Sequence, residues 1–235
     1  MKQNKKSCDF KTCFLCRECM SEWIPAIEAC KKNYHFKKGE LIFKEGTGLK
    51  GMYFVNNGLV KVHKKWVGDK ELIVRFAHDG DILGHRGLGI DMIYSISATA
   101  LSPTDLCFID LDFFQKTLKV NQGFLYRLML FFAEELKISE KKMQNLAHMS
   151  VKGRLAQALL SLREKFGVSE SGAIKFSLSK QDLSSFVGAS YETVFRCLNE
   201  LVEAHIIELS GKNIHVRNEK ELKEITEINA PQMVI

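Results

Sequence analysis

The sequence changes texture at Asp112, and this change restricts the possible folds more than any other feature. Before it, from about residue 33 to 111, short β-branched and aromatic runs are punctuated by glycine; after it, apolar residues recur at helical spacing. Leu41-Ile42-Phe43, Met52 to Val55, Leu59 to His63, Leu72 to Phe76, Ile96 to Ala100 and Leu106 to Ile109 are the strand candidates. Asn57-Gly58 fits a type I′ hairpin and Gly68-Asp69 a type II′ hairpin, because both turns need positive φ, which glycine and asparagine adopt most easily. Strands this closely spaced predict a small antiparallel barrel or roll.

Beyond Asp112, Leu125, Met129, Phe132, Leu136, Ser139, Met143 and Leu146 are separated alternately by four and three residues. That is a heptad seam on a long helix. Packing of this helix on the barrel is one reading of the seam. The charges at Glu134, Glu135, Lys137, Glu140, Lys141 and Lys142 leave only a narrow apolar stripe, which favours pairing with a second copy of the helix.

Composition limits the function classes. At 235 residues, 46% hydrophobic, 26% charged and with three prolines, the chain is ordinary globular protein with little room for disorder. The greasiest run, Phe124 to Ala133, is broken by Arg127, so no stretch reads as a membrane span. The lysine-rich start lacks a secretory core, which predicts a cytoplasmic protein whose cysteines are thiols or metal ligands rather than disulfides. Net charge is +6, but residues 1–75 hold 16 Lys and Arg against 8 Asp and Glu, so charge alone does not locate a DNA site.

Residues 177–216 locate one. Ser179 is placed to cap a helix with Asp182 three residues on, Gly188 ends that helix, and Ser190 caps a second beginning at Tyr191. Two helices joined by Gly188-Ala189-Ser190 form a helix-turn-helix, with Leu183, Val187, Val194, Leu198 and Leu201 inside and Tyr191, Glu192, Thr193 and Arg196 on the exposed face. Arg196 can grip guanine O6 and N7, and Glu192 can accept from cytosine N4; a surface Glu–Arg ion pair at i,i+4 is the alternative use of the same residues. Ile206 to Val216 completes a two-stranded wing whose tip, Lys212, can neutralise a phosphate. Upstream, Arg154 to Lys165 is an amphipathic helix that Gly167 can close in the left-handed conformation.

The stretch Leu178 to Val216 resembles the winged helix-turn-helix of the CRP/FNR family of bacterial transcription regulators. KKGELIFKEG (37–46), MYFVNNGLVKVHK (52–64), HDGDILG (78–84) and ATALSPTDLCFID (98–110) are similar to the family's β-roll, and the long helix to its dimerisation helix. The resemblance implies an α+β fold: an N-terminal antiparallel, jelly-roll-like β-roll of the cyclic-nucleotide-binding type, a dimerisation helix and a winged helix-turn-helix. The corresponding divisions are a Cys-rich segment at 1–32, the sensor roll at 33–118, the dimer helix at 119–150 and the DNA-binding domain at 151–235. It further implies base contacts from Glu192, Arg196 and Tyr191, and phosphate contacts from Lys180, Gln181, Ser190, Thr193 and Lys212. Tyr191 and Phe195 differ from the commoner Arg and Ser or Gly.

The implied partners are a pseudo-palindromic DNA operator and a second copy of the chain, with RNA polymerase open and no membrane. An enzyme is disfavoured, since roll, helix and winged domain use up the chain and no nucleophile-base set or phosphate loop is visible. The effector pocket would comprise Gly84, His85, Arg86, Tyr94 and Ser95. His85 stands where cyclic-AMP binders have a ribose-binding Glu and Tyr94 where they have a phosphate-binding Arg, so cyclic AMP is disfavoured. Arg86 keeps another anion open; the alternative is that no organic ligand binds and His85 is a surface loop residue.

Cys8, Cys13, Cys16 and Cys19 form a C-x4-C-x2-C-x2-C run suited to iron-sulfur or zinc ligation. A ferredoxin-type run fails at Trp23, while Cys30 and Cys197 read as helix-packing residues. The family's oxygen-sensing branch holds a [4Fe-4S] cluster on three N-terminal cysteines and one in the roll, a position that Cys107 matches. A redox sensor built on these cysteines is therefore the alternative to an effector-controlled regulator.

Overall fold

Two apolar runs that the sequence leaves without alternation, Met52 to Val55 and Leu106 to Ile109, lie side by side at the centre of the N-terminal half and are buried on both faces. The computed structural model describes residues 2–3, 11–65, 70–176 and 178–227. The chain divides into two units, Met1–Leu136 and Lys137–Ile235.

In the first unit the elements are β1 (Lys2–Gln3), α1 (Phe14–Glu18), α2 (Ile24–Cys30), β2 (Lys32–Phe36), β3 (Leu41–Phe43), β4 (Gly51–Asn57), β5 (Val60–Lys65), β6 (Glu71–Ala77), β7 (Ile82–Leu83), β8 (Ser97–Ala100), β9 (Thr104–Asp110), α3 (Leu111–Val120) and the start of α4 (Gln122–His148). The strands form two antiparallel sheets, in the orders β1-β2-β9-β4-β7 and β3-β8-β5-β6. The sheets share one core: Tyr53, Val55, Leu106 and Phe108 lie on one face of the first sheet, where Tyr53 stacks on Phe43 of β3 with ring centroids 5.8 Å apart. α3 packs on β4 and β9, and Leu15, Ile27, Phe114, Phe124 and Leu128 extend the core. A buried polar knot ties these helices together: Asn121 Oδ1 accepts from Met20 N at 3.1 Å, Asn121 Nδ2 donates to Thr117 O at 3.1 Å, and Trp23 Nε1 donates to Thr117 Oγ1 at 3.0 Å.

Every strand candidate is a strand, while β2 and the two-residue β1 and β7 are additional. Asn57-Gly58 is not a hairpin: β4 pairs with β7 and β9, whereas β5 pairs with β6 and β8, so the chain changes sheet there. Only Gly58 has positive φ, +113°, and a type I′ turn needs two such residues. β5 and β6 do pair antiparallel, from Lys65–Glu71 to Val60–Ala77, but Gly68-Asp69 lies outside the described residues.

The seam residues of α4 divide. Leu125, Met129, Leu136 and Met143 are 47–61% exposed, whereas Phe132 packs against the roll's core. Phe124 and Leu128, on another side of the helix, are buried in that core. The helix therefore has one face packed in the roll's core and one row of apolar residues left exposed.

The second unit holds the end of α4, then α5 (Val151–Phe166), α6 (Lys180–Val187), α7 (Tyr191–Glu203), β10 (Ile207–Ser210), β11 (Asn213–Val216) and α8 (Glu219–Glu227). α5 starts earlier than its amphipathic pattern, because Ser150 caps it by accepting from Gly153 N at 3.1 Å. Gly167 ends α5 at φ +73°, but its ψ of −171° lies outside the left-handed helical region expected for it. α8 packs on α5 through Leu222, which is fully buried, and through an Arg163–Glu219 ion pair.

A Cβ at Gly58 would stand 2.6 Å from Thr104 Oγ1 and 2.8 Å from Pro103 O, on a backbone conformation L-residues avoid. Gly58→Ala should therefore lower unfolding free energy by about 1–3 kcal/mol, seen as an earlier urea midpoint with unchanged slope.

Candidate nucleic-acid interface and sensor site

Local hydrogen bonds set the geometry of the reading head. Ser179 Oγ accepts from Asp182 N at 3.0 Å to start α6, and Gly188 ends it at φ +72°. Ser190 Oγ then accepts from Thr193 N at 3.3 Å and lies 3.0 Å from Thr193 Oγ1, starting α7. Leu183, Val187, Val194, Leu198 and Leu201 are buried between the helices. Lys180, Gln181, Ser190, Tyr191, Glu192 and Arg196 are exposed on one stretch of surface, Thr193 is half-buried, and Lys212 is exposed at the β10–β11 turn.

Glu192 and Arg196 are not joined as an ion pair among the described residues, so the i,i+4 alternative is not formed. The N-terminal backbone of α7, together with the Ser190 hydroxyl, holds the Glu192 carboxyl below its usual range, keeping it an acceptor. The Tyr191 and Phe195 rings stack with centroids 6.0 Å apart, and Lys180 Nζ sits 4.2 Å from the Phe195 centroid. Sequence reasoning missed Arg154. Its guanidinium donates to Met149 O at 2.8 Å, Val187 O at 3.0 Å and Gly188 O at 3.3 Å, binding the carbonyl ends of α4 and α6 together.

In the roll, Gly84, His85, Arg86, Tyr94 and Ser95 are neighbours: Ser95 Oγ donates to Arg86 O at 3.1 Å, and a Cβ on Gly84 would meet the Tyr94 ring at 3.1 Å. Tyr94 is a core residue. It stacks on Phe43 with centroids 4.2 Å apart, and its hydroxyl donates to Gly51 O at 3.0 Å. The surface-loop alternative for His85 is wrong: the side chain is 3% exposed, set edge-on to Phe131 and Phe132 at 5.1 and 5.4 Å.

Sequence reasoning also missed the group opposite it. Glu135, which the charge pattern assigns to a solvated face, is 12% exposed and takes hydrogen bonds from Arg86 Nη2 at 2.7 Å and Arg75 Nη1 at 3.2 Å. The signal was in the spacing: Phe124, Leu128, Phe131 and Glu135 follow at four, three and four residues, so Glu135 continues the inward row. Burial alone raises the Glu135 carboxyl, but His85, Arg75 and Arg86 outweigh it and hold the group well below the usual carboxylate range. Burial, only partly opposed by Glu135, pushes His85 down and keeps it neutral.

Cys13, Cys16 and Cys107 are buried members of the roll's hydrophobic core, and Cys19 packs against it. Burial, then the neighbouring Cys13 and Glu18, push the Cys19 thiol up to about 12, which opposes the thiolate a metal needs. Among the described residues no three His, Cys, Asp or Glu side chains converge to hold a metal. Cys8 lies outside the described residues. The described thiols do not fit an iron-sulfur or zinc site.

A β-roll, a long helix and a winged helix-turn-helix together define a DNA-binding transcription regulator. Residues 34–121 match the cyclic nucleotide-binding domain and residues 153–225 the Crp-like helix-turn-helix domain. The chain is 30% identical over 197 residues to the cAMP-activated global transcriptional regulator CRP of Pasteurella multocida, covering 83% of this chain and 93% of that protein. It is 27% identical over 199 residues to the anaerobic regulatory protein of Bacillus subtilis, covering 83% and 84% of the two chains. In fold it is similar to FixK2 from Bradyrhizobium japonicum, with a TM-score of 0.74, 24% identity and coverage of 83% of this chain and 96% of that one. The chain belongs to the CRP/FNR family of transcriptional regulators. No helix among the described residues is long and apolar enough to cross a membrane.

Two carboxylates make the roll acid-sensitive. His63, with Lys61, lowers Glu71 to about 2 against the opposing effect of burial, the His63 Nδ1 to Glu71 Oε2 distance being 3.1 Å. Glu135 is lowered likewise. A depressed carboxylate contributes stability above its unfolded pKa of about 4.3 and loses it as pH falls toward the folded value. Thermal unfolding should show Tm dropping between roughly pH 5 and 2, and Glu71→Gln/Glu135→Gln should shrink that drop by at least about 3 °C.

Proposed function

We propose that this chain acts as a homodimer that reads a pseudo-palindromic DNA site and is controlled by an effector at its β-roll. In this reading residues 33–118 are the sensor, 119–150 the dimer helix and 151–235 the reading head. The carrying observation is that α4 leaves Leu125, Met129, Leu136 and Met143 exposed along one line of a 27-residue helix, just ahead of one helix-turn-helix. An apolar stripe of that length is costly in water and is covered when two copies pair along it. Two α7 helices would then enter successive major grooves about 34–36 Å apart.

Glu192, Arg196 and Tyr191 are assigned to bases, and Lys180, Gln181, Ser190, Thr193 and Lys212 to phosphates. The exposure of α7's N-terminal turn and of the β10–β11 turn supports this assignment. The stacked Tyr191–Phe195 rings suit apolar contact with thymine methyl groups. Cyclic AMP is a poor fit to the roll, because Tyr94 offers one donor and Gly51 O already takes it. The effector reading is favoured over redox control by the part-buried Arg75, Arg86 and Glu135 cluster, for which the described cysteines have no counterpart.

Fluorescence anisotropy on sites selected from random DNA tests the reading assignment. Arg196→Ala should cost about 1–3 kcal/mol on the selected site and little on random DNA, whereas Lys212→Ala should weaken both by a similar factor. Equal losses from Arg196→Ala on both DNAs would remove its base-reading role.

Leu136→Glu/Met143→Glu changes two exposed positions. Sedimentation should find that variant monomeric with poor affinity for the selected site, and a surviving dimer would exclude this seam.

A further inference from the structure

The cluster around Glu135 is unbalanced. Glu135 Oε2 accepts from Arg86 Nη2 at 2.7 Å and Nε at 3.2 Å, and Oε1 accepts from Arg75 Nη1 at 3.2 Å. His85 Nε2 lies 3.6 Å from Oε2, beyond hydrogen-bond reach. Two guanidiniums thus face one carboxylate, and His85, neutral through burial, leaves a surplus positive charge. Arg75 Nε and both ring nitrogens of His85 are buried with no hydrogen-bond partner. Buried donors are almost always paired, so these atoms mark the place where a further acceptor fits. The wall is otherwise apolar: Phe131 and Phe132 meet the His85 ring, and the Arg75 guanidinium lies 5.9 Å from the Phe131 centroid. Arg75 Nη2 donates to backbone, to Ile82 O at 2.5 Å.

We propose that Arg75, Arg86 and His85 form an oxyanion site for an effector carrying a carboxylate or phosphate group, and that Glu135 is a tethered internal anion which the effector displaces. The inference rests on the reading of the roll as a sensor and names the ligand chemistry of that site. An incoming oxyanion can take both donors of the Arg86 fork and brings further oxygens for the unpaired Nε–H of Arg75 and the one N–H of the neutral His85 ring. A phosphate has more oxygens than the carboxylate it replaces. Because Glu135 is held in place by α4, its effective concentration is high, and a simple anion with no other contacts competes poorly. Only a ligand that adds contacts of its own wins, and its binding frees the Phe131–Glu135 turn of α4 from the roll. Selectivity and signal then come from one exchange of carboxylate for ligand.

Removing the tethered carboxylate should open the site to simple anions. Calorimetry and thermal unfolding on full-length wild type, Glu135→Ala and Glu135→Ala/Arg86→Gln, in sodium phosphate or propionate against chloride at matched ionic strength and pH 7, test this. Glu135→Ala should bind phosphate or propionate at least about tenfold more tightly than wild type and gain about 2 °C or more in Tm, with the gain lost in the double variant. An equal response of Glu135→Ala to phosphate, propionate and chloride would overturn the proposal. Should that variant fold poorly by circular dichroism, Glu135→Gln keeps the side-chain volume; at least about threefold tighter phosphate binding than wild type upholds the site, and unchanged binding refutes it. DNA affinity separates the two levels. Anion binding that leaves the variant's affinity for selected DNA unchanged upholds the site and refutes the sensor reading; absent anion binding refutes the site whatever the DNA affinity.

Discussion

The side-by-side burial of β4 and β9 is the constraint on which the first unit depends. Both strands are covered on both faces, so every other element there either completes a sheet around them or shields them from water. Gly51 shows how tight the pairing is: a Cβ there would overlap Ile109 O at 2.1 Å. With this pair fixed, the second sheet closes the inner face, and α3 with the first turns of α4 closes the outer one. That outer closure brings Glu135 against Arg75 and Arg86, so the packing that stabilises the roll also positions its charged cluster.

Arg154 has a comparable part in the second unit. Helices that end in a protein interior leave carbonyls without partners, and here α4 and α6 end close enough for one guanidinium to serve both. A fan of donors on one planar group holds the Met149, Val187 and Gly188 carbonyls together. Lysine, with a point charge and no fork, could not hold the same three carbonyls.

Features governed by neighbours in sequence were the legible ones. Ser179, Ser190 and Gly188 act within four residues of themselves, so their caps and turn could be read from order alone. The strand runs were legible for the same reason. Asn57-Gly58 misleads because positive φ serves a sheet-to-sheet corner as well as a hairpin, and only long-range pairing separates the two. The partners of Glu135, and the α6 carbonyls that Arg154 holds, lie far off in sequence, on β6, in the Gly84 turn and at the end of α6, and no local pattern announces them. The cysteine run reads as a ligand set because spacing is all that a sequence displays. In the fold, Cys13 and Cys16 are buried members of the hydrophobic core.

That packing changes the meaning of the residues ahead of the roll. Leu15 and Ile27 are as deeply buried as any strand residue, and Trp23 stacks on Phe113 with centroids 5.9 Å apart. A chain begun at Lys32, where the roll's first long strand starts, would contain every sheet residue from β2 onward and still lack part of its interior. Phe124, whose ring lies 5.9 Å from that of Phe14, and the amide of Asn121 would lose their cover, so the minimal folding unit is longer than the sheets suggest.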